Sequence, residues 1–520
     1  MVRTAEPDSR PPDLPPTSAQ RRMLGSPATR YLSAGVYLDP PFRNAVLREL
    51  VGSAKRSVAP AFSTDAVPVV RHALNARRNQ VVRDLVLTVV LLVFLVLQAK
   101  LLLAILALTG SALLTLRAAR TALRLRFLAA LVLLVPALIA LLIALLLLES
   151  SSGLFASIDG SSGYEEHTPF GAFLLEVIGV FVIVMGAAWT TITVERLINR
   201  QTILDHLMPG RFDPTQSPAG PRSRQARLRY IAEAQLGNVT YYPQDAAEQP
   251  FIGAGPAQHT YTRTVSLAAG GGGAAEFSTE SLREALARDL AQLNGPEEVS
   301  VQDRLITPAS AHSGDPRLDP ATGLLRHRLP VAEMEQLTES DSTGTHRYLS
   351  VRTAPDRGQG EVWVFVRALV QGRRLHLDLV SCGLPPVRAR YREIDQYAAS
   401  GPGVVLRTAL GVLPDLPGTF LRAPLNLVLA LLGQEQLSWD LRDRLRQLGT
   451  SDERGAHASV RELGTDQESG NLMAGFAAQR QIRVIEQQII ETVAASMENA
   501  GLDPEEFHRR TQVILDGTDQ

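Results

Sequence analysis

The residues best suited to chemistry are few and scattered. The chain has one cysteine, Cys382, and ten histidines in 520 residues. A lone cysteine excludes a disulfide framework and any multi-cysteine zinc or iron–sulfur centre. Cys382 closes an apolar, strand-like run, where a buried thiol is expected to be inert, because reactive sulfur needs an exposed and electropositive site. No two histidines fall at a metal-ligand spacing. His327, His346 and His376 flank the strand-like region and could converge only through tertiary structure. There is no glycine-rich phosphate loop ending in Gly-Lys-Ser/Thr, and lysine stops altogether at Lys100. The Gly-x-Ser-x-Gly nucleophile turn and the His-Glu-x-x-His helix are missing too. Gly253 and Gly255 lack the third glycine of a dinucleotide fingerprint, and Gly270–Gly273 does not open a helix after a strand. No catalytic, cofactor-binding or metal-ligating residue is therefore assigned, and no cofactor is expected.

Composition narrows the class of protein. A net charge of −1 and 20% charged residues exclude a generally basic nucleic-acid binder and an acidic disordered chain. The 45% apolar content is unevenly spread. Three stretches carry the excess: residues 85–116, 127–148 and 171–194. The second holds no charge in 22 residues, and the third only Glu176. About 20 apolar residues of helix cross a ~30 Å hydrocarbon core, so 127–148 and 171–194 each fit one transmembrane helix. Pro136 is tolerable within such a helix as a kink.

Flanking charge sets the expected orientation. Arg117, Arg120, Arg124 and Arg126 precede the second span, and Arg196 and Arg200 follow the third. The loop 149–170 between these spans has Glu149, Asp159, Glu165 and Glu166 and no basic residue. Positive-inside bias places the Arg-rich collar and everything after Glu195 in the cytoplasm. The first stretch is too long for one upright span and short for two. Residues 1–83 carry 13 basic against six acidic residues and no export signal, which favours a membrane hairpin over residues 84–126 with both ends inside. One tilted span with the N-terminus outside is the alternative. Lys100 and Glu176 lie near expected interfaces, where they can snorkel to water without marking an ion path.

The remaining segments divide as follows. Residues 1–22 form a Pro-rich disordered tail, and 23–83 a small helical cytosolic domain, with Ser63 or Asp65 capping a helix into the membrane. Residues 195–224 are a juxtamembrane helix and linker. Residues 225–400 form a cytosolic α+β domain with a small antiparallel sheet. Its strands are Gly237–Tyr242, Thr260–Leu267, Tyr348–Thr353, Glu361–Val370 and Arg374–Cys382, the last two joined through Gln371-Gly-Arg373. Glu361–Val370 is apolar on both faces and is expected at the centre of the sheet. Ser278 or Thr279 caps a helix carrying Leu282, Leu286 and Leu290. Residues 401–433 contain two apolar runs, broken by Pro414 and Pro417 and each too short to span, which form core helices or membrane-proximal ones. Residues 434–520 are a helical C-terminal region. Asp452–Ser469 is expected to be loose, and Ile482, Ile485, Ile489, Val493 and Met497 form a stripe packed within the chain; a coiled coil would need three sustained heptads.

Three groups of residues carry a family resemblance. They are Arg30-Tyr-Leu with Asp65-Ala-Val-Pro-Val-Val-Arg-His72, Gly237-Asn-Val-Thr240 with Phe251-Ile-Gly-Ala-Gly255, and Arg509-Arg-Thr-Gln-Val-Ile-Leu515. With these the chain resembles a set of uncharacterised actinobacterial multi-span membrane proteins with a C-terminal cytosolic domain. The resemblance implies an α-helical membrane anchor in the bacterial inner membrane and transfers no site residue. Function is expected to be that of a membrane-anchored scaffold or sensor binding a cytosolic protein partner or a second copy of itself, in contact with the lipid bilayer and not with nucleic acid. A membrane-remodelling or permeabilising effector, and a membrane-tethered enzyme, are the alternatives.

Overall fold

A computed structural model describes residues 26–61, 63–97, 169–214, 217–218, 224–244, 248–267, 277–293, 299–310, 315–340, 344–354, 360–397, 401–431, 454–465 and 472–516. The elements run α1 Pro27–Leu38, α2 Pro40–Leu50, α3 Ala66–Leu97, α4 Pro169–His206 and α5 Gln225–Ala234. They continue as β1 Val239–Tyr242, β2 Ala257–Ser266, α6 Thr279–Ala291, β3 Ser300–Pro308, α7 Val331–Ser340, β4 His346–Thr353, β5 Glu361–Gln371 and β6 Arg374–Leu384. The last helices are α8 Ala389–Arg392, α9 Pro402–Leu410, α10 Leu416–Leu431, α11 Val460–Leu463, α12 Leu472–Asn499 and α13 Glu505–Asp516. The chain divides into two compact units. One gathers residues 1–78, 199–399 and 440–520, and the other 79–198 and 400–439.

The first unit is built on a six-stranded mixed sheet of order β1-β3-β4-β5-β6-β2. Strands β3 to β6 form an antiparallel meander. β2 adds to the far side of β6 antiparallel, whereas β1 lies parallel to β3. The sheet is thus larger than the small antiparallel one expected and not wholly antiparallel. A parallel neighbour needs a long crossover, and β2 and α6 supply it between β1 and β3. β3 has no counterpart in the sequence reading, because Asp303 and Arg304 interrupt its apolar alternation. β5 is central, as its two apolar faces require. Val362, Val364 and Val366 face α6 and α12, packing with Leu282, Leu286, Leu290, Ile482, Ile485, Ile489, Val493 and Met497. Trp363 and Phe365 face the opposite layer with Tyr242, Ile252, Tyr348 and Cys382.

Local chemistry starts the helices where the sequence indicates. Ser278 caps α6, with Ser281 completing a reciprocal capping box. Asp65 accepts the Val67 amide at 2.9 Å at the head of α3. Asp39 accepts the Phe42 amide at 3.3 Å at the head of α2. The N-terminal helices do not keep a core of their own. Leu32, Phe42, Val46, Val69 and Val70 share one buried cluster with Ile203, Leu207, Leu228, Ile231, Tyr391, Ile394 and Val460. Arg30 anchors this assembly through Asp395 at 2.5 Å and the Leu207 carbonyl at 3.3 Å.

The second unit is apolar. Three described helical stretches are long and apolar enough to cross a membrane: Ala66–Val96 (31 residues), Ile178–His206 (29) and Pro402–Ala430 (29). The expected span 127–148 and residues 98–116 lie outside the described residues. Leu87, Ala188 and Ile192 pack against Val412, Leu416, Phe420 and Ala423. Trp189 donates to the Ala409 carbonyl at 2.8 Å, and Arg196 binds the Gly411 carbonyl and Asp415 at 2.9 and 2.6 Å. Arg83 is clamped between Asp84 at 2.7 Å and Glu195 at 3.2 Å.

Residues 402–430 correct the expectation of two runs too short to span. Pro402 sits in the first turn of α9, Pro414 in the short 3-10 turn Leu413–Asp415, and Pro417 in the first turn of α10. Proline's fixed φ suits a helix start, where its missing N–H has no partner to lose, so after α9 closes at Gly411 Pro414 and Pro417 sit where the next helical turns begin. α10 also continues through Pro424.

Ile489 is fully buried between sheet and helix. Truncation by Ile489→Ala removes three methyl-scale groups from a close-packed site and should cost ~2–5 kcal/mol, read as an earlier thermal unfolding of the detergent-solubilised chain.

Candidate functional site

The densest concentration of buried polar groups lies on the Trp363 face of the sheet. Its base is the loop Phe251-Ile-Gly-Ala-Gly255. Gly253 and Gly255 have φ of +98° and +86°, a backbone region that only glycine enters without strain. Their amides converge on one acceptor: both donate to Glu462 Oε1 at 2.9 Å. The Glu462 Oε2 atom accepts the Ser459 amide at 2.6 Å, and the Ser459 hydroxyl oxygen in turn accepts the Glu462 amide at 3.1 Å. A Cβ at Gly253 would lie 2.6 Å from the Pro60 carbonyl oxygen, and one at Gly255 2.7 Å from that of Gly383. This carboxylate therefore pins the loop to α11 while the segment 59–61 lies over it. Burial holds the Glu462 carboxyl above the usual carboxylate range, and the three amides oppose that rise.

A second buried acid, Glu361, accepts from the Ser63 hydroxyl and from Trp363 Nε1 at 3.4 Å, with Arg352 and Arg461 at 3.9 and 4.0 Å. Trp363 stacks on Phe365 at 5.7 Å, and Phe251 packs on Phe365 at 4.7 Å. Beneath these rings is Arg304, whose guanidinium lies 5.6 Å from the Trp363 ring and 3.4 Å from Thr240 Oγ1. Burial pushes its pKa down to about 9. A cavity of about 10 Å³ opens here, lined by Thr240, Phe251, Ile252, Gly253, Arg304 and Trp363. That volume holds about one water and no organic substrate.

The residues weighed for chemistry in the sequence are dispersed. Cys382 is buried, and burial followed by the Glu462 charge pushes its pKa up to about 12, so the thiolate is scarce at neutral pH. His327 packs edge-on to Tyr230, His346 edge-on to Tyr348, and His376 Nδ1 pairs with the Thr264 hydroxyl at 2.8 Å. Among the described residues no group of three or more His, Cys, Asp or Glu side chains could hold a metal ion. Gly270–Gly273 and Lys100 lie outside the described residues, and Glu176 falls within α4.

Glu462 and Arg461 belong to a segment expected to be loose, and this corrects that reading: residues 454–465 are ordered, with Val460 and Arg461 buried and Val387 bridging to Thr465. The signal was present as Ser459-Val-Arg-Glu462, a serine followed three residues on by glutamate, which is a capping box. Arg304 left no such signal, since an arginine inside a strand reads as solvent-facing.

Removing the acceptor should matter more than removing its charge. Glu462→Ala orphans three buried amides, at about 1–3 kcal/mol each, whereas Glu462→Gln keeps the oxygen facing Gly253 and Gly255. The alanine variant should unfold at clearly lower temperature than the glutamine one. Because the folded carboxyl is raised, the native state binds its proton more tightly than the unfolded chain. Stability contributed by this group is then lost as pH rises from the ordinary carboxylate range through the raised value. Glu462→Gln should flatten that part of the pH–stability curve.

The comparisons with known proteins bear on the C-terminal part of this architecture. No curated protein and no solved structure matches the chain. Residues 255–520, from the second glycine of the Glu462 loop through β2–β6 to α13, match the family model described as the AbeC-like domain. That match covers half of the chain, and the protein belongs to the AbeC-like domain family.

Proposed function

We propose that this protein is a membrane-anchored scaffold or sensor, held in a bacterial inner membrane by its apolar helices, whose α+β unit binds a protein partner. The observation that carries this reading is the exposed edge of the sheet. β2 is a terminal strand of ten residues, and Ala257–Thr260, Thr262, Arg263 and Ser266 are exposed along it. It contains no proline, and a proline-free strand at the edge of a sheet is the kind of element that takes up an added strand from a partner. The opposite edge, β1, is four buried residues, and Ala456 donates to its Tyr241 carbonyl at 3.0 Å. Support also comes from the commitment of the buried acids to internal hydrogen bonds, which leaves recognition at the surface as the better-supported activity.

A photo-crosslinking residue at Thr260 or Thr262 of the full chain, in native membranes, should give a discrete protein adduct. The same residue at exposed Glu284 on α6 should give none. The absence of an adduct at both β2 positions would remove this reading.

A further inference from the structure

We infer that the chain crosses the bilayer an even number of times between Arg78 and Asn199, and that residues 402–431 enter one leaflet and leave it on the side where they began. The inference rests on the membrane anchoring proposed above. A core built from helices of 10 to 12 residues that carry charged side chains is too short-limbed to straddle a ~30 Å hydrocarbon layer, so the segments that build it share one aqueous compartment. Residues 28–76 and 203–234 contribute to a single core. The chain that leaves at residue 78 has therefore returned to the same side by residue 199. Three single spans over 85–116, 127–148 and 171–194 would separate these segments, which excludes the tilted-span alternative and favours the hairpin.

The same reasoning applies to the second apolar insertion. Residues 349–379 and 482–507 fill one core around β5 and α12. Residues 402–430 are long enough to cross, yet a single crossing would place those two halves on opposite faces. Residues 432–453 carry eight charges in 22 positions, among them Asp440, Arg442, Asp443, Arg444 and Arg446, and cannot supply a return span. The footprint of the insertion agrees. Its hydrogen bonds to α4 come from Trp189 and Arg196, ~10 Å apart along the helix against a ~30 Å hydrocarbon core.

The remaining surface of this insertion suits acyl chains. Leu406, Leu410, Leu421, Leu425 and Val428 are exposed, Leu421 to 71%. They add to the exposed apolar rows of α3 (Val89, Leu92, Val93) and of α4 (Phe181, Val182). The Arg196–Asp415 pair remains exposed, as an ion pair at headgroup level would be. The partner of this face is thus the lipid of a single leaflet, and the insertion is monotopic.

The test uses the full chain in membranes with Cys382→Ala as background and single cysteines at Lys55, Arg373, Gln487, Leu421 or Leu425. Each variant is treated with a membrane-impermeant maleimide in sealed vesicles of either orientation. Lys55→Cys, Arg373→Cys and Gln487→Cys should label from the same face and only that face, and Leu421→Cys and Leu425→Cys from neither. Labelling of Lys55→Cys and Arg373→Cys from opposite faces would overturn the even crossing. Opposite labelling of Arg373→Cys and Gln487→Cys, or aqueous labelling of Leu421→Cys, would overturn the monotopic insertion. Alkaline carbonate separates the two levels: protein that stays with the membrane pellet keeps the anchoring even where labelling overturns the topology, and release into the supernatant overturns both.

Discussion

One constraint organises this molecule: a core assembled from segments that lie far apart in the chain and on both sides of apolar insertions. Leu32 and Phe42 near the start, Ile203 and Leu228 after α4, Ile394 after the sheet and Val460 beyond α10 all exclude water from one another. Burial of apolar area is non-directional, but it demands proximity, and proximity fixes compartment. From that follows the docking of the N-terminal helices beside the sheet's flanking segments.

The polar interior of the sheet layer serves the same assembly. Glu361, Arg304 and Arg461 are taken out of water and Glu462 partly so, a cost that only well-made hydrogen bonds or close opposite charge can offset. Glu462 meets it with three backbone amides from two separate segments, and Glu361 with Ser63, Trp363 and two nearby guanidinium groups. Such groups gain little over a purely apolar core in stability. They join separate segments: the loop 251–255 lies under segment 59–61 at the place where α11 presents the Glu462 carboxylate. Two of the three resemblance-bearing groups become intelligible in this light, since Arg30 and Asp65 in one and Gly253 in the other each make a contact that joins distant parts of the chain.

How far the sequence could be read depended on the range of the physics involved. Periodicity and caps act over a few residues, and they located the β5–β6 hairpin, the Ser278 helix start and the Ile482–Met497 stripe. The apolar length of 171–194 announced a membrane-competent helix for the same reason. Where a local rule had two outcomes the reading failed or stayed open. Prolines 414 and 417 mark a helix start as well as a helix end, and Arg304 on β3 looks like a surface residue until aromatic rings close over it.

Composition, apolar run length and short-range pattern were therefore enough to specify helices long and apolar enough to cross a membrane and an α+β unit, because those properties depend on neighbours in the chain. They left the parallel β1–β3 pairing and the Glu462 nest undecided. Each of these depends on which distant segments share a buried volume, a quantity that exists only once the chain has folded.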